Sequence, residues 1–356
     1  MPVVRGASRL FLSALAVSSL TACATIQGPQ HEARPPEGVI RGMKQVWFAP
    51  DFAVAVTPFL APDQWSLARS KINVFKFYTQ TLMATPPRDP TTPTWLNELI
   101  AADAFALLTQ CGIEIAIEAQ VGCNTVADGR VARALQAIET VHANGGRVTY
   151  IALDSSLGIG VNDCSQTMAQ AAAQVQIFVS NIQAAYPSVS IGIIEQCAGG
   201  GFDTWPVTTL TTWIDLLISK GFRPAFLHID SDPAGMSPAD ATTLETASTA
   251  RRMAFGIVYK TSNVSNTLNT DDDFYTAVML QVTRLKAGMA NPEHLVFQSW
   301  ALRQSTGVRD IPTPLPESAA ATHTRLINDG LAVLAPPVGT SSQVCGSRPM
   351  SGCPTP

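Results

Sequence analysis

An alternation of strand-like and helix-like segments runs through most of the chain and limits what it can fold into. Short apolar runs recur, and each is followed by a loop and a longer segment with helical periodicity. Strands that alternate with helices pair in parallel, because each helix carries the chain back to the same edge of the sheet. The predicted strands are 44–49, 72–80, 113–118, 148–154, 189–195, 225–230, 254–260 and 294–300.

Eight such units predict an α/β fold of one domain, a closed (β/α)8 TIM barrel over residues 44–335. A doubly wound open sheet is the alternative. The alternation stops at eight units, and no glycine-rich first turn marks a dinucleotide-binding fold. The glycine run 199–201 follows the fifth strand and has no helix directly behind it. The barrel is therefore the favoured architecture.

Composition excludes several classes of function. The chain has 356 residues, of which 46% are hydrophobic and 14% charged, and its formal net charge is −4. No basic patch favours nucleic acid. No HExxH or HxH run indicates a metallohydrolase, and no Gly-x-Ser-x-Gly elbow precedes a helix. We expect a monomer that needs no metal or cofactor and binds no nucleic acid.

Residues 1–23 have the pattern of an export signal. Two arginines precede an apolar run, 10–20, that is too short to span a bilayer as a folded helix. The end of this segment, Leu20-Thr-Ala-Cys23, resembles the lipobox of bacterial lipoproteins, whose cysteine carries the lipid. The resemblance implies lipidation at Cys23, with the lipid as the only membrane attachment. Ala24 then implies sorting to the outer membrane of a Gram-negative cell. An ordinary cleaved signal, with Cys23 incidental, is the alternative.

The remaining cysteines are expected to meet an oxidising compartment, in which disulfides form. Cys111 and Cys123 flank the third predicted strand, whose length of about 20 Å keeps them apart. Cys111 is expected to be a buried thiol at a helix end, and Cys123 is left unassigned. The expected bridges are Cys164–Cys197, after consecutive strands, and Cys345–Cys353, in the tail.

The segments that flank the predicted barrel have the composition of linkers. Residues 24–43 are polar and Pro-rich, which is typical of a tether. Residues 336–356 form a Pro/Ser/Gly-rich tail. Neither segment is expected to contribute to the barrel.

The carboxyl ends of the predicted strands are unusually polar. In (β/α)8 barrels the active site lies at these ends. An unpaired carboxylate is costly in a packed core, so acids there indicate a cavity. Asp154, Glu195 and Asp230 end three consecutive strands and are the predicted catalytic residues. The predicted substrate-binding residues are Lys76, Tyr78, Glu118, His228, Tyr259, Gln298 and Trp300.

Some of these side chains have structural alternatives. Lys76 and Glu114 lie lower on their strands, where a buried ion pair is favoured over catalysis. His228 either lines the pocket or hydrogen-bonds a neighbouring strand. Trp300 either fills the core or offers a platform for the apolar face of a sugar.

Carboxylates converging at a barrel mouth fit glycoside hydrolysis. That reaction needs one acid to protonate the leaving oxygen and one carboxylate to attack or to activate water. Crowding raises the pKa of one acid, which then holds the proton. We expect Asp154 to be nucleophile or base and Glu195 to be the general acid. Asp230 would position the substrate or exchange roles with Glu195.

At these residues the chain resembles the TIM-barrel glycoside hydrolases and, more loosely, endo-polygalactosaminidase-type barrels. Strand four ends Leu153-Asp154-Ser155-Ser156 and strand seven ends Tyr259-Lys260, unlike the clan with Glu at both ends. Asp154 and Asp230 match the alpha-galactosidase-type pattern of Asp on strands four and six. The resemblance implies a polysaccharide or cell-envelope glycan as substrate. The alternative is a glycan-binding lipoprotein with an inactive barrel.

Overall fold

The computed structural model describes residues 44–52, 54–83, 95–197, 204–230, 236–260, 270–288, 290–299 and 313–334. The expected signal peptide, lipidated Cys23, tether, Trp300 and Cys345–Cys353 bridge lie outside these residues. Within them, no helix combines the length and the hydropathy needed to cross a membrane.

The strands form a closed barrel in which each strand pairs in parallel with its two neighbours. At the closure, Gln45 lies opposite His294 and Ala49 lies opposite Gln298. An open sheet would leave two edge strands with one partner each, so the closure confirms the predicted (β/α)8 barrel. The strands are Gln45–Ala49 (β1), Val74–Tyr78 (β2), Glu114–Gln120 (β3), Val148–Asp154 (β4), Ser190–Glu195 (β5), Phe226–Asp230 (β6), Ala254–Tyr259 (β7) and His294–Gln298 (β8).

Helices follow the strands, and several begin at a side-chain cap. Thr167, Ser237 and Thr270 each accept the backbone N–H three residues later, and that residue's side chain returns to the cap. These capping boxes satisfy N–H groups that have no partner within the helix. The box at Ser237 confirms the helix start that the Ser237-Pro238 pair in the sequence predicts. The α-helices of the described residues are Thr57–Leu60 (α1), Ser66–Arg69 (α2), Trp95–Ala101 (α3), Ala104–Gln110 (α4), Arg130–Ala143 (α5), Ser156–Gly158 (α6), Met168–Ala185 (α7), Val207–Ser219 (α8), Pro238–Ala250 (α9), Asp271–Ala287 (α10) and His323–Leu334 (α11).

The sequence after the second strand predicts one continuous helix over residues 95–110, and this prediction is wrong. The structure has two helices there, α3 and α4, divided at Asp103, whose φ of 49° lies in the left-handed region. A right-handed helix cannot continue through that conformation. Apolar residues continue on both sides of the break, so their spacing alone does not reveal it.

Side-chain alternation along the strands separates two apolar regions. One face of each strand packs against the helices, and the other face fills the barrel lumen. In the amino-terminal half of the lumen the Trp47 ring lies 5.0 Å from Tyr150 and 5.4 Å from Phe226, between centroids. His228 and His294 complete this aromatic layer. We call these five residues the lumen floor; they close the lumen below the carboxyl ends of the strands.

A disulfide joins the loops that follow β3 and β4. It links Cys123 to Cys164, whose Cα atoms are 5.3 Å apart. The predicted Cys164–Cys197 bridge is therefore wrong. Cys197 is buried directly behind β5, whereas the loops after β3 and β4 approach each other over the same end of the barrel. Cys111 ends α4 and is partly exposed, not buried as predicted.

Candidate functional site

Charged side chains gather in the lumen at the carboxyl ends of the strands. Strand alternation turns Lys76 of β2, Glu118 of β3, Asp154 of β4 and Asp230 of β6 inwards, and Lys260 follows β7 in the same phase. Lys76, Glu118 and Asp230 are buried, while Asp154 and Lys260 keep some exposure. We call these five residues the mouth cluster. Three carboxylates and two ammonium groups therefore share one poorly solvated space.

The first ion pair of the cluster joins β2 to β3. The ammonium of Lys76 contacts the Glu118 carboxylate and donates a hydrogen bond of 2.6 Å to Oε1 of Gln298. The predicted pair between Lys76 and Glu114 is wrong. Glu114 lies four residues lower on β3, at the amino end, where it accepts a 3.0 Å hydrogen bond from the Tyr150 hydroxyl.

The second ion pair joins β6 to the end of β7. Lys260 donates to Oδ2 of Asp230 at 2.6 Å. Burial alone would lower the pKa of Lys260, but the ion pair with Asp230, together with the charges of Asp154 and Glu118, more than offsets it, so the pKa lies above its ordinary value. The other carboxylate oxygen of Asp230, Oδ1, is buried and accepts no hydrogen bond from the described residues. That oxygen is a candidate acceptor for a substrate group.

Asp154, unlike Glu118 and Asp230, forms no direct ion pair with a lysine of the cluster in the described part of the chain. Its two oxygens accept hydrogen bonds from Gln120 at 3.3 Å and from the Ser155 hydroxyl at 3.1 Å. Burial raises the pKa of Asp154, the charge of Asp230 raises it further, and Lys260 opposes the shift. A carboxyl group in this position holds its proton to higher pH than an exposed aspartate does.

Burial also raises the pKa values of Glu118 and Tyr78. Burial raises the pKa of Glu118 to about 7, with Asp154 adding to the shift and Lys76 opposing it. Burial, followed by the charge of Glu118, raises the pKa of Tyr78 well above its ordinary value. The Tyr78 hydroxyl donates to the carbonyl oxygen of Ser299 at 3.0 Å. Tyr78 is thus a neutral wall of the site.

Glu195, the predicted general acid, lies on the other side of the barrel wall. It is one residue past Ile194, which faces the lumen, so its side chain points to the helices. Its Oε1 accepts hydrogen bonds from the Leu157 backbone N–H at 3.1 Å and the Trp213 indole at 3.0 Å. Because it is directed away from the mouth cluster, Glu195 cannot serve the same substrate as Asp154.

Tyr259 likewise faces outwards, contrary to its predicted place in the pocket. Its ring stacks on Phe297 with centroids 5.4 Å apart, and burial raises the pKa of its hydroxyl. The lumen position at the end of β7 belongs to the next residue, Lys260. Counting by twos from Val258, which lies in the lumen, would have shown this.

His228 lies in the lumen but belongs to its floor. Its Nε2 is 2.8 Å from Nδ1 of His294 on β8, over Gly256 of the intervening strand β7. Burial lowers the pKa of both rings, to about 3 for His294. Neither of the roles predicted for His228 is what the structure shows, because its partner is on β8 rather than on a neighbouring strand.

A cavity of about 430 Å³ opens beside the mouth cluster, above the ends of β2 and β3. Tyr78, Glu118 and Gln120 line it from the barrel side, and Arg130 and Arg133 line it from the start of α5. Arg130 donates to Oε1 of Gln120 at 3.1 Å, and Gln120 in turn donates to Asp154. Gln120 and the arginines were not among the predicted site residues, although an Arg pair one helical turn apart is visible in the sequence.

Among the described residues, no group of three or more His, Cys, Asp or Glu side chains is arranged to hold a metal ion. What the cluster offers chemically is proton transfer and charge stabilisation by carboxylates of unequal protonation.

No family model matches the chain, and no curated protein matches it.

Solved structures with a similar fold exist. A GH10 protein from Paenibacillus barcinonensis has 12% identity and a TM-score of 0.49, covering 80% of this chain and 94% of its own. The endo-1,4-beta-xylanase XylE of Penicillium canescens has 12% identity and a TM-score of 0.48, covering 81% and 95%. A putative phosphonomutase from Burkholderia cenocepacia has 12% identity and a TM-score of 0.39, covering 72% and 86%.

Similarities of this size leave the activity open, because one barrel fold hosts many chemistries. The closed barrel of the chain itself defines its class as a (β/α)8 TIM barrel. The reaction has to be argued from the mouth cluster.

Proposed function

We propose that this protein is a glycoside hydrolase that cuts a polysaccharide or cell-envelope glycan at the mouth cluster. The observation that carries the proposal is the convergence of Glu118, Asp154 and Asp230 in one buried lumen. Glycoside hydrolysis needs two carboxyl groups in different protonation states on either side of one bond.

The electrostatics favour a division of roles between the two aspartates. Asp154, whose pKa is raised by burial and by Asp230, suits the general acid that protonates the leaving oxygen. Asp230 is held by Lys260 and presents its free Oδ1, which suits attack on the sugar or activation of water. Asp154 thus becomes the general acid, the role that the sequence predicts for Glu195, instead of the predicted nucleophile or base.

Glu118, Lys76 and Gln298 support the reacting pair in this proposal. Lys76, held by its ion pair with Glu118, places one positive charge beside the acids. That charge favours the ionised form of the neighbouring carboxyl groups. Gln298 fixes the ammonium of Lys76. Tyr78 supplies an uncharged wall against which an apolar sugar face can pack.

The test is hydrolysis of a panel of plant, algal and bacterial envelope polysaccharides and peptidoglycan, measured as new reducing ends. We expect the parent protein to release reducing ends from at least one of them. Asp154→Asn and Asp230→Asn are expected to lower kcat on that glycan by roughly 10²- to 10⁴-fold, the usual contribution of a positioned acid or base.

Glu195→Gln is the matched control. It also neutralises a buried strand-end acid, but on the outer side of the wall, and its amide oxygen can still accept from Leu157 and Trp213. We expect its kcat to stay within about threefold of the parent once the folded fraction is equal. An Asp154→Asn variant as active as the parent would refute the proposal. A glycan bound and recovered intact after long incubation would favour the inactive-barrel alternative.

We also propose that the protein acts as a monomer, exported and held at the outer membrane or its periplasmic face by a lipid on Cys23. The support is the sequence of residues 1–23. Metabolic labelling with palmitate and mass analysis of the amino-terminal peptide test the anchor. Cys23→Ser is expected to abolish labelling, and labelling that persists would exclude this site.

A further inference from the structure

The cavity beside the mouth cluster is also lined by charged residues that do not belong to the cluster. Its barrel side carries Glu118, already balanced by Lys76. Its outer side carries Arg130 and Arg133 from the first turn of α5, together with Asp128, which is exposed. The two guanidinium groups are therefore the positive charges that the described lining offers a ligand, beside the carboxylates of Glu118 and Asp128.

Arg133 keeps its charge available. Its Nη2 donates at 2.9 Å to the main-chain oxygen of Asp128, which orients the guanidinium without neutralising it. Within the described part of the chain, Arg133 forms no ion pair. The Asp128 carboxylate instead accepts the backbone N–H of Asn124 at 2.9 Å. A guanidinium presents parallel N–H donors that match a carboxylate or a sulfate.

The loop that leads into α5 and its arginines is held in place before any ligand arrives. The Cys123–Cys164 disulfide ties it to the loop after β4. Gln166 donates to the Cys123 carbonyl at 2.8 Å, and the Thr125 backbone N–H donates to Gln174 at 2.9 Å. A loop fixed from three points loses little entropy when it binds. This is the construction expected of a binding surface.

The cavity is also connected to the reacting acids. Arg130 donates to Gln120, and Gln120 donates to Asp154, so one side chain separates the arginine from the proposed general acid. A sugar ring in the cavity would therefore adjoin the ring whose bond is cut. The cavity volume of about 430 Å³ lies within the usual range for small-molecule sites.

We infer that this cavity is a subsite for a sugar that carries a negative charge, so that the substrate is an acidic glycan. The inference rests on the proposed function for the meaning of the neighbouring site, but not for the binding itself. The shared chemistry is a carboxylate or sulfate group that Arg133 receives. A uronic acid and a sulfated sugar are the two sources of that group.

The experiment measures binding of five monosaccharides to the full chain at low ionic strength by NMR titration. Galactose and glucose are the neutral probes, galacturonate and glucuronate carry a carboxylate, and galactose 6-sulfate carries a sulfate. We expect at least one acidic sugar to bind about tenfold more tightly than its neutral parent, which corresponds to about 1.4 kcal/mol. The source is a uronate if the carboxylate pair leads and a sulfate ester if galactose 6-sulfate leads.

Three variants locate the effect. Arg133→Met keeps the aliphatic stem and should erase the preference for the acidic sugar, and Arg133→Lys should retain part of it. Lys220→Met removes the same charge from the exposed end of α8 and should leave the preference intact. Equal binding of acidic and neutral sugars, absence of binding by every probe, or an equal loss in Lys220→Met would overturn the inference.

Failure here is distinguishable from failure of the proposed function. If Asp154→Asn abolishes hydrolysis but acidic and neutral sugars bind alike, the hydrolase stands and the acidic subsite falls. If acidic sugars bind through Arg133 but no glycan is cut, the subsite stands and the hydrolase falls.

Discussion

The two halves of the barrel lumen bury different kinds of polar group: the lumen floor holds mainly uncharged ones, and the mouth cluster holds charged ones. The lumen floor is built mainly on hydrogen bonds between uncharged side chains: Gln45 donates to the Tyr150 hydroxyl at 3.1 Å, and His228 meets His294 at 2.8 Å. Its contact with an acid is at the amino end of β3, where Tyr150 donates to Glu114. The mouth cluster, one or two layers above, concentrates three carboxylates and two ammonium groups in a similar volume.

This difference separates stability from chemistry along the same strands. Neutral hydrogen bonds and aromatic packing stabilise the floor without strong fields. Buried charges add little net stability, because desolvation offsets their attraction. Five charged groups gathered at one end of the lumen therefore mark that end as a candidate functional site, which is where the proposed acid and base lie.

The largest expected effect compares two residues on β4. Asp154→Asn in the mouth cluster should lower kcat by roughly 10²- to 10⁴-fold while the free energy of unfolding changes little. Tyr150→Phe, in the floor, removes a hydroxyl that bonds Gln45 and Glu114, and should cost about 1 to 3 kcal/mol of stability. Kinetics and urea unfolding of both variants check this contrast. A Tyr150→Phe variant that loses activity while fully folded would contradict it.

Breaking the first ion pair should cost more stability than any neutral change in the floor. Lys76→Met leaves the Glu118 carboxylate buried without its partner, which should destabilise the fold by about 3 to 5 kcal/mol. Adding Glu118→Gln should recover part of that loss, because the orphaned charge is removed. Urea midpoints of the two singles and the double variant give the coupling. Additive losses would show that the two side chains do not interact as described.

Gly256 tests how tightly the floor is packed. A Cβ at this position would lie 2.5 Å from Cδ2 of His228 and 2.8 Å from Cβ of His294. Overpacking of this kind typically costs about 1 to 3 kcal/mol, so Gly256→Ala should lower the unfolding midpoint. Gly221→Ala is not a matched control because Gly221 has a φ of 91°. Ala152→Gly, which removes a methyl group from the lumen instead of adding one, tests the opposite change. A Gly256→Ala variant that unfolds at the parent's midpoint would argue against tight packing.

A last contrast between the two halves is a dependence of stability on pH with opposite signs. The pKa of His294 falls from 6.5 to about 3 on folding because its ring is buried. The unfolded chain therefore takes up this proton first, and stability is lost as pH falls from about 6.5 towards 3. The pKa of Glu118 rises from 4.5 to about 7 on folding, chiefly through burial. The unfolded chain releases that proton first, so stability is lost as pH rises from about 4.5 to 7.

His294→Gln isolates the first of these contributions. The amide does not titrate, so the slope of unfolding free energy against pH between about 4 and 6 should fall by one proton, about 1.4 kcal/mol per pH unit. Urea titrations across that range measure the slope in the parent and the variant. An unchanged slope would show that His294 is not held neutral by the fold.

The sequence predicts more of the fold than of the candidate site. The eight strands follow from apolar runs, and the cap at Ser237 from local hydrogen bonding, because both signals act over a few residues. Which carboxylates meet depends on the phase of each strand. Asp154 and Asp230 have the lumen phase, and Glu195, although it also ends a strand, has the opposite one.

The sequence by itself determined the number of strand and helix units, the parallel pairing and the polar character of the strand ends, because alternation and periodicity are local properties of the chain. Only the tertiary structure decided that Lys76 meets Glu118, that Lys260 rather than Tyr259 enters the lumen, and that Cys164 joins Cys123. The reason is geometric. A shift of one residue along a strand moves a side chain from the lumen to the side that faces the helices. Closure of the barrel also brings together groups that lie far apart in the sequence.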